Sequence, residues 1–333
     1  MPVHEDEQAE WLEWRKGGVT ATEVANAATG AYGGMYEVVA RKRDLLPPVE
    51  QTNAMERGQR WQETIADAVH ALTGLYVVGE ETWCEHAAQP MHRATVDGFL
   101  APKPDCTIDD LTHILEIKTT GVGVRHNYTR TEAQVQWQMY VTGIPHAVIA
   151  VATIDDADDT FVGMRLHRID ADEFAQAELV AAADEIIRHI EAGTLPEPDT
   201  ATALDAVKAV HMVPQTETVD LADHAAQIDE LHELKAQIKA CNSRADLLEA
   251  QIREAVGDAT AGVCDGYKVS VSQPAATLTR DAEAEILRER PDLGKVVLDR
   301  DKAKAEAPEL YESHRRPLGA RRLTIKPTTG GTR

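Results

Sequence analysis

The sequence predicts a mixed α/β fold, with a central sheet flanked by helices, a helical coiled-coil-like segment and a small β-containing tail. Three observations predict it. Short β-branched runs at 147–153 and 161–169 alternate with stretches of helical spacing such as Trp61, Ile65, Ala68 and Leu72. A proline-rich break, Leu195-Pro196-Glu197-Pro198, ends that alternation. Beyond it Leu231, Leu234, Ile238, Cys241, Ala245, Leu248 and Ile252 recur at three- and four-residue steps, the seam of a coiled coil or helical hairpin. The expected domains are 1–195, 196–260 and 261–333.

Each element has a local cause. A helix over 5–16 carries Trp11, Leu12 and Trp14 and stops at Gly17-Gly18. Thr20 with Glu23 has capping-box spacing, so a second helix starts there and Thr22 falls in its first turn. A short helix over 36–46 is halted by Pro47-Pro48, and a longer one over 58–72 by Thr73-Gly74. On the latter, Gln62 faces partly inward and Glu63 faces water. Strands follow at 75–78, 81–86 and 92–100, the last interrupted by Asp97-Gly98, a turn or bulge signal. A strand at 113–119 leads through a glycine-rich bend to a helix over 131–141 bearing Gln134, Gln136, Gln138 and Tyr140. Strands at 147–153 and 161–169 and a helix over 172–192, ended by Gly193, complete the first domain. The remainder reads as a helix over 201–212, the seam ending at Gly257, a hairpin over 262–273, a helix near 281–289 and a strand at 321–325.

With 333 residues, 43% apolar and 27% charged, the chain suits a soluble globular protein with a sizeable core. No apolar run reaches the length of a membrane span, and the first residues lack a basic, apolar leader, so the expected address is cytoplasmic. The cysteines, at 84, 106, 241 and 264, fit neither zinc nor iron–sulfur spacing and are expected as reduced thiols. A net charge of −22 excludes a passive nucleic-acid coat protein. It leaves room for a DNA enzyme, because a bound metal and a local basic groove act within a Debye length of about 10 Å. Candidate basic groups are Arg41-Lys42-Arg43, Arg57 with Arg60, Arg125 with Arg130, and the 315–326 tail.

The chemistry centres on Asp97-Gly98 and on Glu116-Ile117-Lys118. Alternation along a strand puts Glu116 and Lys118 on one face and Leu115 and Ile117 on the other. If the two strands pair, Asp97 and Glu116 converge with Lys118 beside them. Two carboxylates and the Ile117 carbonyl make a hard oxygen site suited to Mg2+, with Mn2+ the alternative. Such a metal activates water and neutralises phosphoryl charge, while the lysine steadies the attacking water, a set suited to phosphodiester hydrolysis. Arg15 and Thr22, beside a helix N-terminus, could together hold a terminal phosphate, but on these residues alone an ordinary capped helix with a surface arginine is the favoured reading.

Four stretches in order across residues 11–170 resemble the lambda-exonuclease and YqaJ-type viral recombinase family of the PD-(D/E)xK nuclease superfamily. They are Trp11-x-x-x-Arg15-x-Gly17-x-Val19-Thr20-Ala21-Thr22-Glu23-Val24, the stretch from Met55 to Glu63, Asp97-Gly98 with Glu116-Ile117-Lys118-Thr119, and the stretch from Ala133 to Gly143. The resemblance implies a PD-(D/E)xK core with catalytic Asp97, Glu116 and Lys118, and a metal on Asp97, Glu116 and Ile117. It gives Arg15 and Thr22 the 5′-phosphate of the digested strand. It also implies that Gln136 orients the lysine or the DNA backbone, and that Gln134 and Tyr140 meet substrate. Gln62 stands where the family carries a glutamate, leaving one metal or two open, and Val96 stands where a proline is usual. The implied activity is Mg-dependent 5′-to-3′ digestion of linear double-stranded DNA, giving 3′ single strands for a phage single-strand-annealing protein. The implied assembly is a homo-oligomer, a trimer being one form. The alternatives are an endonuclease or flap nuclease of the same superfamily, or an inactive protein-binding scaffold.

Overall fold

A computed structural model describes residues 5–49, 51–212, 220–272, 276–293, 300–314, 316–317 and 322–327. The chain forms two compact units, 1–216 and 217–333.

In the first unit, α1 (Glu5–Lys16) leads to α2 (Ala21–Thr29), whose N-cap Thr20 forms the expected capping box with Glu23. Then come α3 (Gly34–Lys42) and α4 (Asn53–Thr73), capped by the Thr52 hydroxyl. Next are β1 (Tyr76–Val78), β2 (Thr82–His86), β3 (Gln89–Val96), β4 (Gly98–Ala101) and β5 (His113–Gly121). The crossover helix α5 (Tyr128–Thr142) joins β5 to β6 (His146–Asp155), and β7 (Thr160–Asp170) and α6 (Glu173–Ala192) follow. The sheet order is β1-β4-β5-β6-β7, with β5 and β6 parallel and every other pair antiparallel. Strands β2 and β3 form a separate hairpin.

The expected single strand over 92–100 is broken at Asp97. Val96 pairs with Thr82 in the hairpin, whereas Gly98 pairs with Leu115 in the main sheet, so Asp97 is the bend between two sheets. A Cβ at Gly98 would lie 2.9 Å from a Val77 methyl, so only glycine lets the chain turn there so close to β1. The sheet is covered on both faces. Helix α4 packs Ile65 and Val69 on Leu100, Leu115, Val148 and Ala150. From the other side, α5 packs Val135 and Met139 on Ile114, Ile149 and Val151. The buried stripe of α4 runs through Ile65, Ala66 and Val69, and Leu72, placed inward by the sequence, is exposed.

The boundary expected at 195 falls inside the first unit. After the proline-rich break, α7 (Leu204–Val210) returns and packs Ala203 and Ala206 on Tyr36 and Ala40 of α3. The Thr202 hydroxyl accepts from the Gly33 N–H at 3.1 Å and donates to the Gly30 carbonyl at 2.8 Å. Two small side chains at one-turn spacing give the helix a flat apolar face, which explains its docking on α3.

In the second unit, α8 (Ala225–Val256) is a 32-residue helix that contains the whole seam, with none of its residues buried. The expected hairpin forms from β8 (Ala261–Cys264) and β9 (Tyr267–Ser272), and residues 322–327 pair with β9. The expected helix near 281–289 spans Arg280–Glu289 and contributes Ile286 to a small core with Leu278, Leu293 and Ala303. Residue 321, included in the expected last strand, and part of the 315–326 basic tail lie outside the described residues. The four cysteines are free thiols. Among the described residues no helix is long and apolar enough to cross a membrane.

Candidate active site

Antiparallel pairing of Gly98 with Leu115 brings Asp97 beside Glu116. The Ile117 N–H donates to Asp97 Oδ2 at 2.6 Å, fixing that carboxylate to β5. Glu116 points to the α5 face, as its alternation with Ile114 requires, and is 1% exposed. A bare carboxylate this deep is costly, and three donors compensate for it. Lys118 Nζ and Gln134 Nε2 reach Oε1, the latter at 2.7 Å, and Gln138 Nε2 reaches Oε2 at 2.6 Å.

The electrostatics follow from this packing. Burial and the nearby Glu116 charge push the Asp97 carboxyl up to about 7, against the opposing pull of Lys118 and the Ile117 N–H. Burial pulls the Lys118 ammonium down, but Glu116 and Asp97 outweigh it and hold it above the ordinary lysine value. A carboxylate pair that repels itself is the donor set a divalent cation relieves, so the chemistry fits a hard metal on Asp97, Glu116 and the Ile117 carbonyl. The fit rests on two carboxylates: among the described residues no group of three His, Cys, Asp or Glu side chains could hold a metal.

The glutamines of α5 divide differently from expectation. Gln134 and Gln138, one turn apart, both hold Glu116, and Gln138 Nε2 also donates to the Thr95 carbonyl at 3.0 Å. Gln138 therefore ties the strand leading into Asp97 to Glu116 itself. Gln134 and Gln138 each spend their N–H groups here and leave a buried Oε1 without a hydrogen-bond partner among the described residues, a cost that folding alone gives no reason to carry. Gln136, expected to orient the lysine, does not reach it. Its Nε2 donates to the Asp170 carbonyl at 2.8 Å and its Oε1 accepts from the Asp172 N–H at 2.9 Å, closing the β7–α6 turn. Replacing Gln138 with leucine should therefore lower kcat about 10- to 100-fold, the worth of hydrogen bonds to a charged group. Gln136→Leu should leave kcat unchanged and lower the melting temperature; initial rates and thermal melts on both variants decide it.

Tyr140 is also placed elsewhere. Its hydroxyl meets His92 Nδ1 at 3.1 Å and its ring stacks on His86 at 4.5 Å, on a different side of α5 from Gln134 and Gln138. Gln62 lies half-buried on α4, one turn beyond Gly58, on the sheet face opposite Glu116. It makes none of the hydrogen bonds around Glu116, which come from Lys118, from Gln134, expected instead to meet substrate, and from Gln138, to which the sequence assigned no role.

Arg15 and Thr22 do come together. With Trp11, Thr20, Ala21 and Thr95 they line one pocket at the start of α2. The Arg15 guanidinium lies 4.7 Å from the Trp11 ring centre and 3.2 Å from Glu23 Oε1. Glu23 Oε2 also pairs at 2.9 Å with Lys42, whose buried ammonium caps the Gly18 carbonyl at 2.6 Å. Thr95 lies two residues before Asp97 on β3 and its carbonyl is held by Gln138, so the pocket adjoins the carboxylate cluster.

The family model described as "YqaJ-like viral recombinase domain" matches residues 10–145. No curated protein matches the chain. Among solved structures, the alkaline exonuclease LHK-Exo from Laribacter hongkongensis is 23% identical, covers 62% of this chain and 100% of its own, and has a TM-score of 0.42. A phage related exonuclease from Haemophilus somnus 129PT is 11% identical, covers 53% of this chain and 96% of its own, and has a TM-score of 0.41. Over residues 10–145 the chain is therefore similar to the YqaJ-like viral recombinase domain.

Proposed function

We propose that this domain is a Mg2+-dependent exonuclease that digests linear double-stranded DNA from a 5′-phosphorylated end and leaves a 3′ single strand. The observation that carries the reading is the adjacency of two sites. One is the Asp97–Glu116–Lys118 cluster, suited to hydrolysing a phosphodiester. The other is the Arg15–Thr22 pocket, which sets a guanidinium beside the first turn of α2, suited to a terminal phosphate. When bound, the metal supplies Lewis-acid activation of water and phosphoryl oxygen. Asp97, Glu116 and the Ile117 carbonyl would hold it. Gln134 and Gln138 fix the Glu116 rotamer, and Lys118 presents an ammonium where the attacking water and the phosphoryl oxygens meet. A single-strand-annealing protein is the partner this product implies, and the cytoplasm of a bacterial host cell is the compartment, for a phage or prophage protein.

Incubating the protein and Mg2+ with a 5′-phosphorylated linear duplex beside a closed circle tests the reading. The linear DNA should disappear and the circle persist, and loss of both would mean an endonuclease. Arg15→Ala should reduce the preference for 5′-phosphate over 5′-hydroxyl ends about tenfold or more, the worth of a charge-assisted hydrogen bond. An unchanged preference would remove the terminal-phosphate role from this pocket.

A further inference from the structure

The nuclease reading uses nothing of α8, and α8 carries a surface that a folded monomer has no reason to leave open. Over 32 residues, about 48 Å of helix, it presents the seam to solvent: Leu231 is 52% exposed and Ile238 58%. Leu234 at 45% and Leu248 at 41% continue the same stripe. In heptad terms, Leu231, Ile238, Ala245 and Ile252 occupy a positions and Leu234, Cys241 and Leu248 occupy d positions. Two of the four a residues are isoleucine and two of the three d residues leucine, and isoleucine at a with leucine at d favours two parallel strands. The flanks agree. In a parallel in-register pair each g residue faces the e residue five positions on in the other helix. The facing pairs are Glu230 with Lys235, Gln237 with Asn242, and Arg244 with Glu249. Two of these three are opposite charges and none is a like pair, so the helix is complementary to itself.

We propose that α8 is the dimerisation element of this protein, forming a parallel, in-register two-stranded coiled coil with a second copy of the chain. The arrangement is specific at one further place. Cys241 is an exposed thiol at the middle d position, so two copies set the thiols face to face across the seam. The two antiparallel pairings that use six of the seven seam positions set Cys241 against Ala245 or Ile238 instead.

Full-length protein at micromolar concentration, weighed by light scattering and then mildly oxidised with copper-phenanthroline, tests this. The wild type should have twice the mass of a Leu234→Asp/Leu248→Asp variant, whose substitutions fall on exposed positions. Oxidation should give a covalent dimer on a non-reducing gel, two thiols surrendering two protons and two electrons to the added oxidant. Cys241→Ser should abolish the covalent dimer while keeping the doubled mass. A wild type no heavier than the seam variant overturns the proposal, as it would if the seam serves another protein. So does a crosslink that survives Cys241→Ser, or a dimer that never crosslinks through Cys241. Neither readout depends on nuclease activity, so it stands or falls apart from the proposed function.

Discussion

Replacing Glu116 with glutamine should lower Mg2+-dependent degradation of linear duplex DNA by about a thousandfold or more. The change removes one of two carboxylates, and a metal's stabilisation of phosphoryl charge is worth several kcal/mol, at about 1.4 kcal/mol per factor of ten. It also reverses a hydrogen-bonding polarity. Glu116 accepts from Lys118, Gln134 and Gln138, and a glutamine must turn an NH2 toward at least one of these donors. Lys118 is 26% exposed and can turn outward, which keeps the loss of stability below the ~3–5 kcal/mol of breaking a fully buried pair. The same variant has a signature independent of catalysis. In the metal-free protein, burial and Glu116 hold the Asp97 pKa at about 7, well above the ordinary carboxylate range. A raised carboxyl contributes stability that is complete below its unfolded pKa and is lost as pH climbs through the folded value. Removing the Glu116 charge lowers the folded value, so the decline of stability between about pH 4 and pH 7 should be shallower in the variant than in the wild type. Denaturant titrations across that range measure it, and unchanged degradation would remove Glu116 from the active centre.

The parts of this site that were legible in the sequence are those set by local rules. Asp97-Gly98 announces a break in a strand, and two-residue alternation puts Glu116 and Lys118 on one face whatever the rest of the chain does. The Thr20–Glu23 capping box is likewise a property of four residues. The errors arise where position depends on tertiary docking. Helix α5 is buried at Gln134, Val135, Gln136, Trp137, Gln138 and Met139, so no apolar stripe marks which side meets the sheet. Three glutamines were visible, but only the packing shows which two reach Glu116. The one-turn spacing of Gln134 and Gln138 was the available signal, because two donors that share a carboxylate must share a helix face. The break at 195 misled for a related reason. Prolines end secondary structure, whereas a domain ends where apolar contacts stop, and Ala203 with Ala206 renew them on α3.

Trp137→Ala should destabilise the first unit by about 4 kcal/mol, the usual cost of emptying a fully buried tryptophan site. Trp137 is 0% exposed, and its indole N–H donates to the Arg93 carbonyl at 2.8 Å, so the truncation also orphans a main-chain acceptor on β3. At roughly 2–4 °C per kcal/mol for a domain of this size, the melting temperature should fall by about 10 °C. Trp137→Phe keeps most of the packing and loses the hydrogen bond, so its cost should be about 1–2 kcal/mol. The consequence for function follows from where the bond lands. Trp137 holds the Arg93 carbonyl and Gln138 the Thr95 carbonyl, consecutive residues of α5 gripping alternate residues of the strand that turns at Asp97. Gln138 also holds Glu116, so one turn of one helix sets the separation of the two carboxylates. Trp137→Phe should accordingly raise the Mg2+ concentration needed for half-maximal degradation while leaving the 5′-phosphate preference intact. A loss of stability with no change in metal requirement would mean that the main sheet alone fixes Asp97, through Ile117.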